Sequence, residues 1–363
     1  MRLITPSMRN CIFTRASLPL TFFIVTFSIL LTGTTLQAAG PKAADLVKDG
    51  QPIDLQQKKY QQLFAELKNK HQFTNQQLQS IFKGQKISKR VLELMDKQWE
   101  SKPYYKYSPL FITDKTIATG KKKVRKYREL LDKIEEKLGV DREIVVAIWG
   151  IETRYGTHQG DFNVLQTLNT LFDAYPRRSS FFRKQLIHFL VLCKENNIDP
   201  SSIQGSYAGA FGQTQFIPSS FRTYAISFDG DDKRDVWHSI PDILASIANY
   251  LKQFNWTLHA PIYAELGHTL KDQRLVAAKL KGRKGRVDWT IVRDVQNPDI
   301  PPSPGNKALS IVGLEPQPGG KNSIRYIAGY PNFQAITQWN HSNRYAMAVT
   351  ELAEAIKGER IGQ

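Results

Sequence analysis

Apolar residues recur at helical spacing along most of the chain from Asp54 onward. Residues 55–68 carry theirs on one face, which predicts a helix. Thr74-Asn75-Gln76-Gln77 has capping-box form ahead of Leu78, Ile81 and Phe82. Ser88 stands where it can cap a short helix through Val91, Leu94 and Met95. Residues 99–111 form an aromatic loop broken by Pro103 and Pro109. Val124, Tyr127, Leu131, Ile134 and Leu138 are spaced 3, 4, 3 and 4 apart. That is one stripe of a single amphipathic helix, with Gly139 as its stop. The basic run 121–126 reads as its solvated face.

Asp141 is placed to cap the next segment, residues 142–153, which is apolar almost all round and so predicted to be buried. Three more helices are expected at 163–174, 179–194 and 241–254. Between them lie a Gly-rich stretch, 205–218, and an acidic loop, 229–235. Residues 258–335 change character, with more prolines and glycines and short β-like runs at 309–312 and 324–327. A closing helix covers 343–357. The fold class is α+β, predominantly helical. Its expected parts are an N-terminal segment (1–39), a helical region (40–139), a helical core (140–257), a small β-containing subdomain (258–335) and a C-terminal helix packing back on the helical region (336–363).

The composition, 41% hydrophobic and 23% charged, excludes a disordered or collagen-like chain. Two cysteines, Cys11 and Cys193, are too few for a disulfide framework or a Cys-based zinc site. Lys and Arg outnumber Asp and Glu 50 to 33, a net charge of +17. Such a field favours a polyanionic partner: nucleic acid, acidic lipid or anionic cell-wall polymer. The N-terminus narrows the choice. Arg2, Arg9 and Arg15 precede an apolar stretch, 18–31, and Leu36-Gln37-Ala38 offers a small-residue cleavage site. That order reads as a secretory signal, with an uncleaved N-terminal membrane anchor as the alternative. Cys11 precedes the apolar stretch, so it is badly placed for a lipoprotein cysteine. Cleavage near Ala38 removes three arginines and Cys11, taking the charge from +17 to +14 and leaving Cys193 alone. Export to the periplasm argues for cell-wall polymer and against nucleic acid.

Val145, Trp149 and Glu152 fall at i, i+4 and i+7 and share one face of the buried helix. Apolar surroundings raise a carboxyl pKa, and a helix end near Tyr155-Gly156 adds carbonyl dipoles that oppose negative charge. A carboxyl kept protonated near neutral pH is what a general acid cleaving a glycosidic bond requires. Taken alone, a Glu near a helix end is better explained as exposed, or as salt-bridged to Arg154. Glycosidases commonly use two carboxylates. Asp161 and Asp173, the nearest downstream, are better explained by turn and helix-surface positions. A single-acid mechanism, with the substrate supplying the nucleophile, is then the option. The Gly-rich stretch sets small residues beside Ser206 and Gln215, whose side chains suit sugar hydroxyls, and lacks the spacing of a phosphate loop. A tight helix–helix turn is the competing account.

Several ordered motifs together resemble the membrane-bound lytic murein transglycosylase B family. They are Ile151-Glu152-Thr153-Arg154-Tyr155-Gly156, then Tyr175-Pro176-Arg177-Arg178-Ser179-Ser180-Phe181-Phe182, then 205–220. Asn332-Phe333, Ile336-Thr337, Asn340-His341-Ser342 and Tyr345-Ala346-Met347-Ala348-Val349 continue the pattern, so the likeness spans about residues 50–355. The resemblance implies a lysozyme-like core at 140–257 that cleaves the β-1,4 bond between N-acetylmuramic acid and N-acetylglucosamine in peptidoglycan. It implies Glu152 as sole acid and base and a 1,6-anhydromuramoyl product. It also implies substrate contacts from Tyr107, Ser206, Gln215, Asn340 and Tyr345.

Arg177 and Arg178 could meet carboxylates of the peptide stem, or lead their helix as a salt-bridged pair. Residues 227–235 occupy the place of an EF-hand-like calcium loop, with Asp229, Asp231 and Asp242 as candidate ligands. Ser227 stands where Asp is expected and Asp232 where the turn glycine is, so a solvated acidic turn is the better reading than a calcium site. No other cofactor is expected. Phe211 replaces a usual methionine, and Trp339 stands where tyrosine is common. His158, His188 and His341 form no metal spacing. Expected partners are peptidoglycan glycan strands and cell-wall synthesis or division proteins, met by a monomer. A hydrolytic muramidase and a non-catalytic peptidoglycan-binding scaffold are the rival functions.

Overall fold

The computed structural model describes residues 42–96, 102–318 and 324–358, all within one compact unit, Pro41–Gln363. The basic, apolar and small-residue segment of 1–39, with Cys11, lies outside the described residues, as does Trp99. No helix among the described residues is long and apolar enough to cross a membrane.

The N-terminal helices are α1 (Lys58–His71), α2 (Asn75–Phe82) and α3 (Lys89–Met95). The capping box forms as expected: Gln77 N–H donates to Thr74 Oγ1 at 3.1 Å, and Thr74 N–H to Gln77 Oε1 at 2.9 Å. Ser88 holds the N-cap position of α3, but its side chain makes no capping bond. Its backbone N–H instead donates to Thr170 Oγ1 at 3.0 Å. Within the expected aromatic loop, Pro103 leads a helical turn, α4 (Tyr104–Tyr107), followed by a 3-10 turn, Ser108–Leu110.

The single helix expected through 124–138 is two, α5 (Asp114–Lys126) and α6 (Arg128–Leu138), parted at Tyr127 with φ −108° and ψ 26°. The one-residue break keeps the apolar stripe in phase, so spacing alone is blind to it. It lets α5 lean on α7 (Arg142–Thr153) while α6 packs on α11 (Ile240–Gln253). Gly139 closes α6 in the left-handed region, as expected. In the basic run, Lys123 lies 4.7 Å over the Trp149 ring rather than in open solvent. Asp141 precedes α7 without capping it. Its carboxylate instead accepts Trp256 Nε1 at 2.8 Å and faces His259 Nδ1 at 2.8 Å.

α7 is buried from Ile144 to Ile151 and forms the centre of the core. Around it stand α8 (Val164–Ala174), α9 (Ser179–Glu195), α10 (Pro218–Tyr224) and α11. Two short strands, β1 (Phe162–Asn163) and β2 (Gln204–Gly205), pair antiparallel beside them.

Beyond residue 258 come β3 (Tyr263–Gly267), α12 (Gln273–Leu280), α13 (Trp289–Val295), β4 (Ser310–Leu314) and β5 (Arg325–Gly329). The strands form an antiparallel sheet in the order β3-β5-β4. β4 and β5 overlap the expected β-like runs. This part has its own apolar cluster, including Leu275, Val292, Leu309, Ile311 and Tyr330. α14 (Pro331–Trp339) and α15 (Asn343–Lys357) then return, and α15 packs along α7 and α5. Arg325 on β5 ties the sheet back to α15, pairing with Glu265 and Glu351 at 2.6 Å each, while Tyr104 O–H donates to Glu351 at 2.5 Å.

Candidate active site

Glu152 is the next-to-last residue of α7. The helix stops because Arg154, Tyr155 and Gly156 all take positive φ, 49°, 60° and 89°. A left-handed conformation costs a non-glycine residue about 1–2 kcal/mol, so something must hold the turn. Tyr155 does. Its ring fills a slot between Gly120 and Gly150, where an added Cβ would come within 2.6 and 2.7 Å of it. Its O–H donates to the Thr116 carbonyl at 2.8 Å, and its ring meets Trp149 edge-on at 5.6 Å. Thr153 Oγ1 accepts from Gly156 N–H at 3.0 Å and donates to the Gln213 carbonyl at 3.2 Å. Gln213 in turn accepts from Trp149 Nε1 at 2.9 Å. The Gly-rich stretch is thereby fastened to α7.

Glu152 is half-buried, and the desolvation of its carboxyl raises its pKa from 4.5 to about 7. Hydrogen bonds from Tyr345 and from the Trp339 indole oppose that rise. Tyr345 O–H donates to Glu152 Oε1 at 2.6 Å. Among the described residues no cation pairs with Glu152, so the Arg154 salt bridge is not formed. One side of the residue opens into a cavity of about 230 Å3 lined by Leu110, Phe111, Thr116, Ile151, Arg154 and His158. Neither of the two nearest downstream acids lines this cavity. Asp161 is exposed, and Asp173 pairs with Lys59 at 2.8 Å.

The other sequence-derived residues separate into two groups. Tyr345 bonds the acid directly, and Tyr107 is buried against Phe111, which lines the same cavity, with ring centres 5.1 Å apart. Asn340 follows Trp339 as the half-buried end of α14. Ser206 and Gln215 make hydrogen bonds within and beside the Gly-rich stretch: Ser206 Oγ accepts from Ala208 and Ala210 N–H at 3.3 and 3.1 Å. Gln215, at φ 50°, donates to the Gln159 and Gly212 carbonyls at 3.0 and 2.9 Å. Arg177 and Arg178 are exposed and do not line the Glu152 cavity. Arg178 lies 4.2 Å over Phe181, and among the described residues no carboxylate pairs with either arginine. Sequence reasoning missed Trp339 as a donor to the acid, and Gln213 as the link behind it. An indole at the end of a helix returning to the core was the available signal for the first.

In the acidic loop, carboxylate oxygens of Asp229, Asp231 and Asp242 lie within 4.8 Å of one another. Asp242 is buried and accepts from Phe228 and Asp235 N–H at 2.7 and 2.9 Å, while Asp229 accepts Ser239 O–H at 2.6 Å. Asp232 holds φ 63°, the turn conformation otherwise given to glycine. The three histidines make local bonds: His158 with Thr157, His188 with Arg222, His341 with the Thr337 carbonyl.

A model of the transglycosylase SLT domain matches residues 56–354. The chain is 33% identical over 328 residues to the membrane-bound lytic murein transglycosylase B of Escherichia coli K12, covering 83% of each. The Escherichia coli lytic transglycosylase Slt35 in complex with calcium superposes with TM-score 0.71 at 31% identity, over 86% of this chain and 96% of that one. SltB3 from Pseudomonas aeruginosa, in complex with NAG-anhNAM-pentapeptide, gives TM-score 0.67 at 32% identity, over 84% and 78%. With a match over most of its length, the chain belongs to the transglycosylase SLT domain family.

Proposed function

We propose that the chain is a lytic transglycosylase that cleaves the β-1,4 bond between N-acetylmuramic acid and N-acetylglucosamine in peptidoglycan, with Glu152 as its single acid and base. The observation that carries this reading is the Glu152 carboxyl: desolvated, raised to about 7, open to a cavity on one side, and with no acidic neighbour acting on it among the described residues.

Protonated Glu152 first gives its proton to the glycosidic oxygen as the bond from muramoyl C1 breaks. The resulting carboxylate then takes the proton of the muramoyl C6 hydroxyl while that oxygen bonds to C1. The 1,6-anhydro ring closes and the acid is restored. One group serves both steps because its pKa lies near the working pH. Tyr345 and Trp339 favour the carboxylate between the steps. Tyr107 and Asn340 line the strand's path, Ser206 and Gln215 position the Gly-rich loop, and Arg177 and Arg178 contact the strand beyond the cavity.

None of these steps needs a cofactor. The donor set at Asp229, Asp231 and Asp242 fits a hard cation, since three carboxylates converge and Asp232 supplies the turn. Calcium there would stiffen the loop. The order of residues 1–39 supports export to the periplasm, through a cleaved signal or a retained anchor. The chain would work as a monomer on glycan strands, beside synthetic or division proteins.

Digestion of purified sacculi followed by mass spectrometry tests the reaction. Anhydro ends are expected; reducing ends, one water heavier, would establish a muramidase. A Glu152→Gln protein that solubilised sacculi at the parental rate would leave only the binding scaffold.

A further inference from the structure

The end of α12 sets an apolar side chain among cations. Leu280, the last residue of that helix, is 75% exposed, more than any other large apolar side chain among the described residues. Residues 279–286 hold Lys279, Lys281, Arg283, Lys284 and Arg286 and no acid. Arg283 is half-buried and the other four are exposed. Among the described residues no carboxylate pairs with any of the five. The segment is pinned at both ends. Gly282 takes φ 57° at the start of a 3-10 turn, Gly282–Lys284, and Gly285 sits so close to the Ala278 carbonyl that a Cβ there would collide with it. Val287 and Leu309 then exchange backbone hydrogen bonds of 3.0 and 2.8 Å. Leu280 and its cations are thus presented on a preformed tip, and none of them lines the Glu152 cavity.

Lys279, in the last turn of α12, complements the carbonyl end of that helix, but the other four cations lie beyond it and have no such use. An unpaired basic cluster suits any polyanion. Leu280 narrows the choice. A hydrated wall polymer gives a leucine nothing to be buried in, whereas a phospholipid surface takes ammonium groups at the level of its phosphates and an apolar side chain just beneath them. We propose that this tip docks the protein reversibly on an anionic phospholipid surface, with Lys279, Lys281, Lys284 and Arg286 against the phosphates and Leu280 entering the acyl boundary. The docking draws on neither Glu152 nor residues 1–39.

The test puts a polarity-sensitive fluorophore on the full chain at Leu280→Cys, in a Cys11→Ser background, with Cys193 buried and out of reach. A label at this one position reads the tip itself, whatever residues 1–39 bind. It should shift to the blue on phosphatidylcholine vesicles containing phosphatidylglycerol and not on phosphatidylcholine alone. The shift should vanish at about 1 M salt, where the Debye length is about 3 Å. Lys281→Gln and Lys284→Gln should each raise the lipid concentration needed for half the shift by about fivefold, and Lys→Arg at the same positions should leave it unchanged. The labelled glutamine variants also control for the affinity of the fluorophore for lipid. Unlabelled Lys281→Gln and Lys284→Gln should digest sacculi at the parental rate. A label that stays in water on anionic vesicles, or shifts equally on both kinds, would overturn the docking. Retention on sacculi that is lost in the glutamine variants, with no shift on vesicles, would assign the tip to wall polymer instead.

Discussion

The Tyr345 phenol oxygen lies 2.6 Å from Glu152 Oε1, joining residues 193 positions apart in the chain. The bond works on the ionised form of the acid and so lowers its pKa against the larger effect of burial. Tyr345→Phe removes the donor and leaves the ring. The pKa of Glu152 should then rise above about 7. Because the first step needs the protonated acid, the alkaline limb of the kcat/KM profile should move to higher pH. The rate should fall about tenfold, the value of a hydrogen bond to a charged group. An alkaline limb that stays in place, or moves down, contradicts this coupling.

Trp339 makes the same argument from the other side. Its indole packs on Phe216 and Tyr250, with ring centres 5.1 and 4.7 Å away, and its interaction with the carboxyl lowers the pKa of Glu152. Trp339→Phe keeps an aromatic ring in that place and deletes only the donor. The alkaline limb should again rise, by less than in Tyr345→Phe, with a loss of rate of about three- to tenfold. Equal pH profiles for parent and variant would reduce Trp339 to packing.

Glu152 itself links activity to stability. Its folded-state pKa of about 7 lies above the ordinary 4.5, so the folded protein binds this proton more tightly than the unfolded chain. The stability tied to the proton is complete below the unfolded value and is lost as pH climbs through the folded one. Glu152→Gln should therefore be the more stable protein at about pH 8, by at most roughly 3 kcal/mol, and lose the advantage at about pH 4. Its activity should drop by roughly a thousandfold. Urea melts of both proteins at the two pH values check the first part. A variant no more stable than the parent at the higher pH would mean that the acid is already solvated.

How far these relations could be read beforehand depended on their range along the chain. The helix Arg142–Thr153 was legible because eight consecutive buried residues precede Glu152, and Gly139 and Thr74 signalled local stops and starts that need no distant partner. Asp141 looked like a cap for the same local reason, yet its carboxylate goes to Trp256 and His259, 115 and 118 residues away. The break at Tyr127 preserved the stripe that would have revealed it. α12 and α13, of eight and seven residues, are shorter than the window in which helical period declares itself. The Trp339 donor depended on how α14 returns to the core, which no spacing encodes.

Arg325 offers a test of how the sheet supports the cleft. It joins Glu265 of β3 to Glu351 of α15, and Glu351 also receives the Tyr104 hydroxyl at the start of the turn that carries Tyr107. Arg325→Ala removes the guanidinium bridging Glu265 and Glu351 and should cost about 1–2 kcal/mol in urea unfolding, since Glu265 is partly solvated. It should also raise KM through the loosened Tyr107. Arg325→Lys keeps the charge without the fork and should recover part of both losses. A cost below about 0.5 kcal/mol would place this network among ordinary surface pairs.

Calcium gives the sharpest choice between two accounts of one loop. Asp229, Asp231 and Asp242 converge, and burial raises the pKa of Asp242 above its usual value, so bringing a divalent cation among them removes a repulsion already present. If the ion binds, saturating Ca2+ should raise Tm by about 5 °C, and a chelator should reverse it. The gain should shrink as the carboxylates protonate on the acid side. Asp231→Asn should abolish the gain while leaving the metal-free Tm close to the parent's, because Asp231 is exposed and the bond its carboxylate accepts from Lys233 N–H is one an amide oxygen can also accept. Magnesium, which holds its waters and prefers a tighter octahedron, should reproduce little of the shift. A Tm that ignores calcium and chelator alike, in parent and variant, identifies the segment as a solvated acidic turn whose Asp residues are spent on backbone N–H groups.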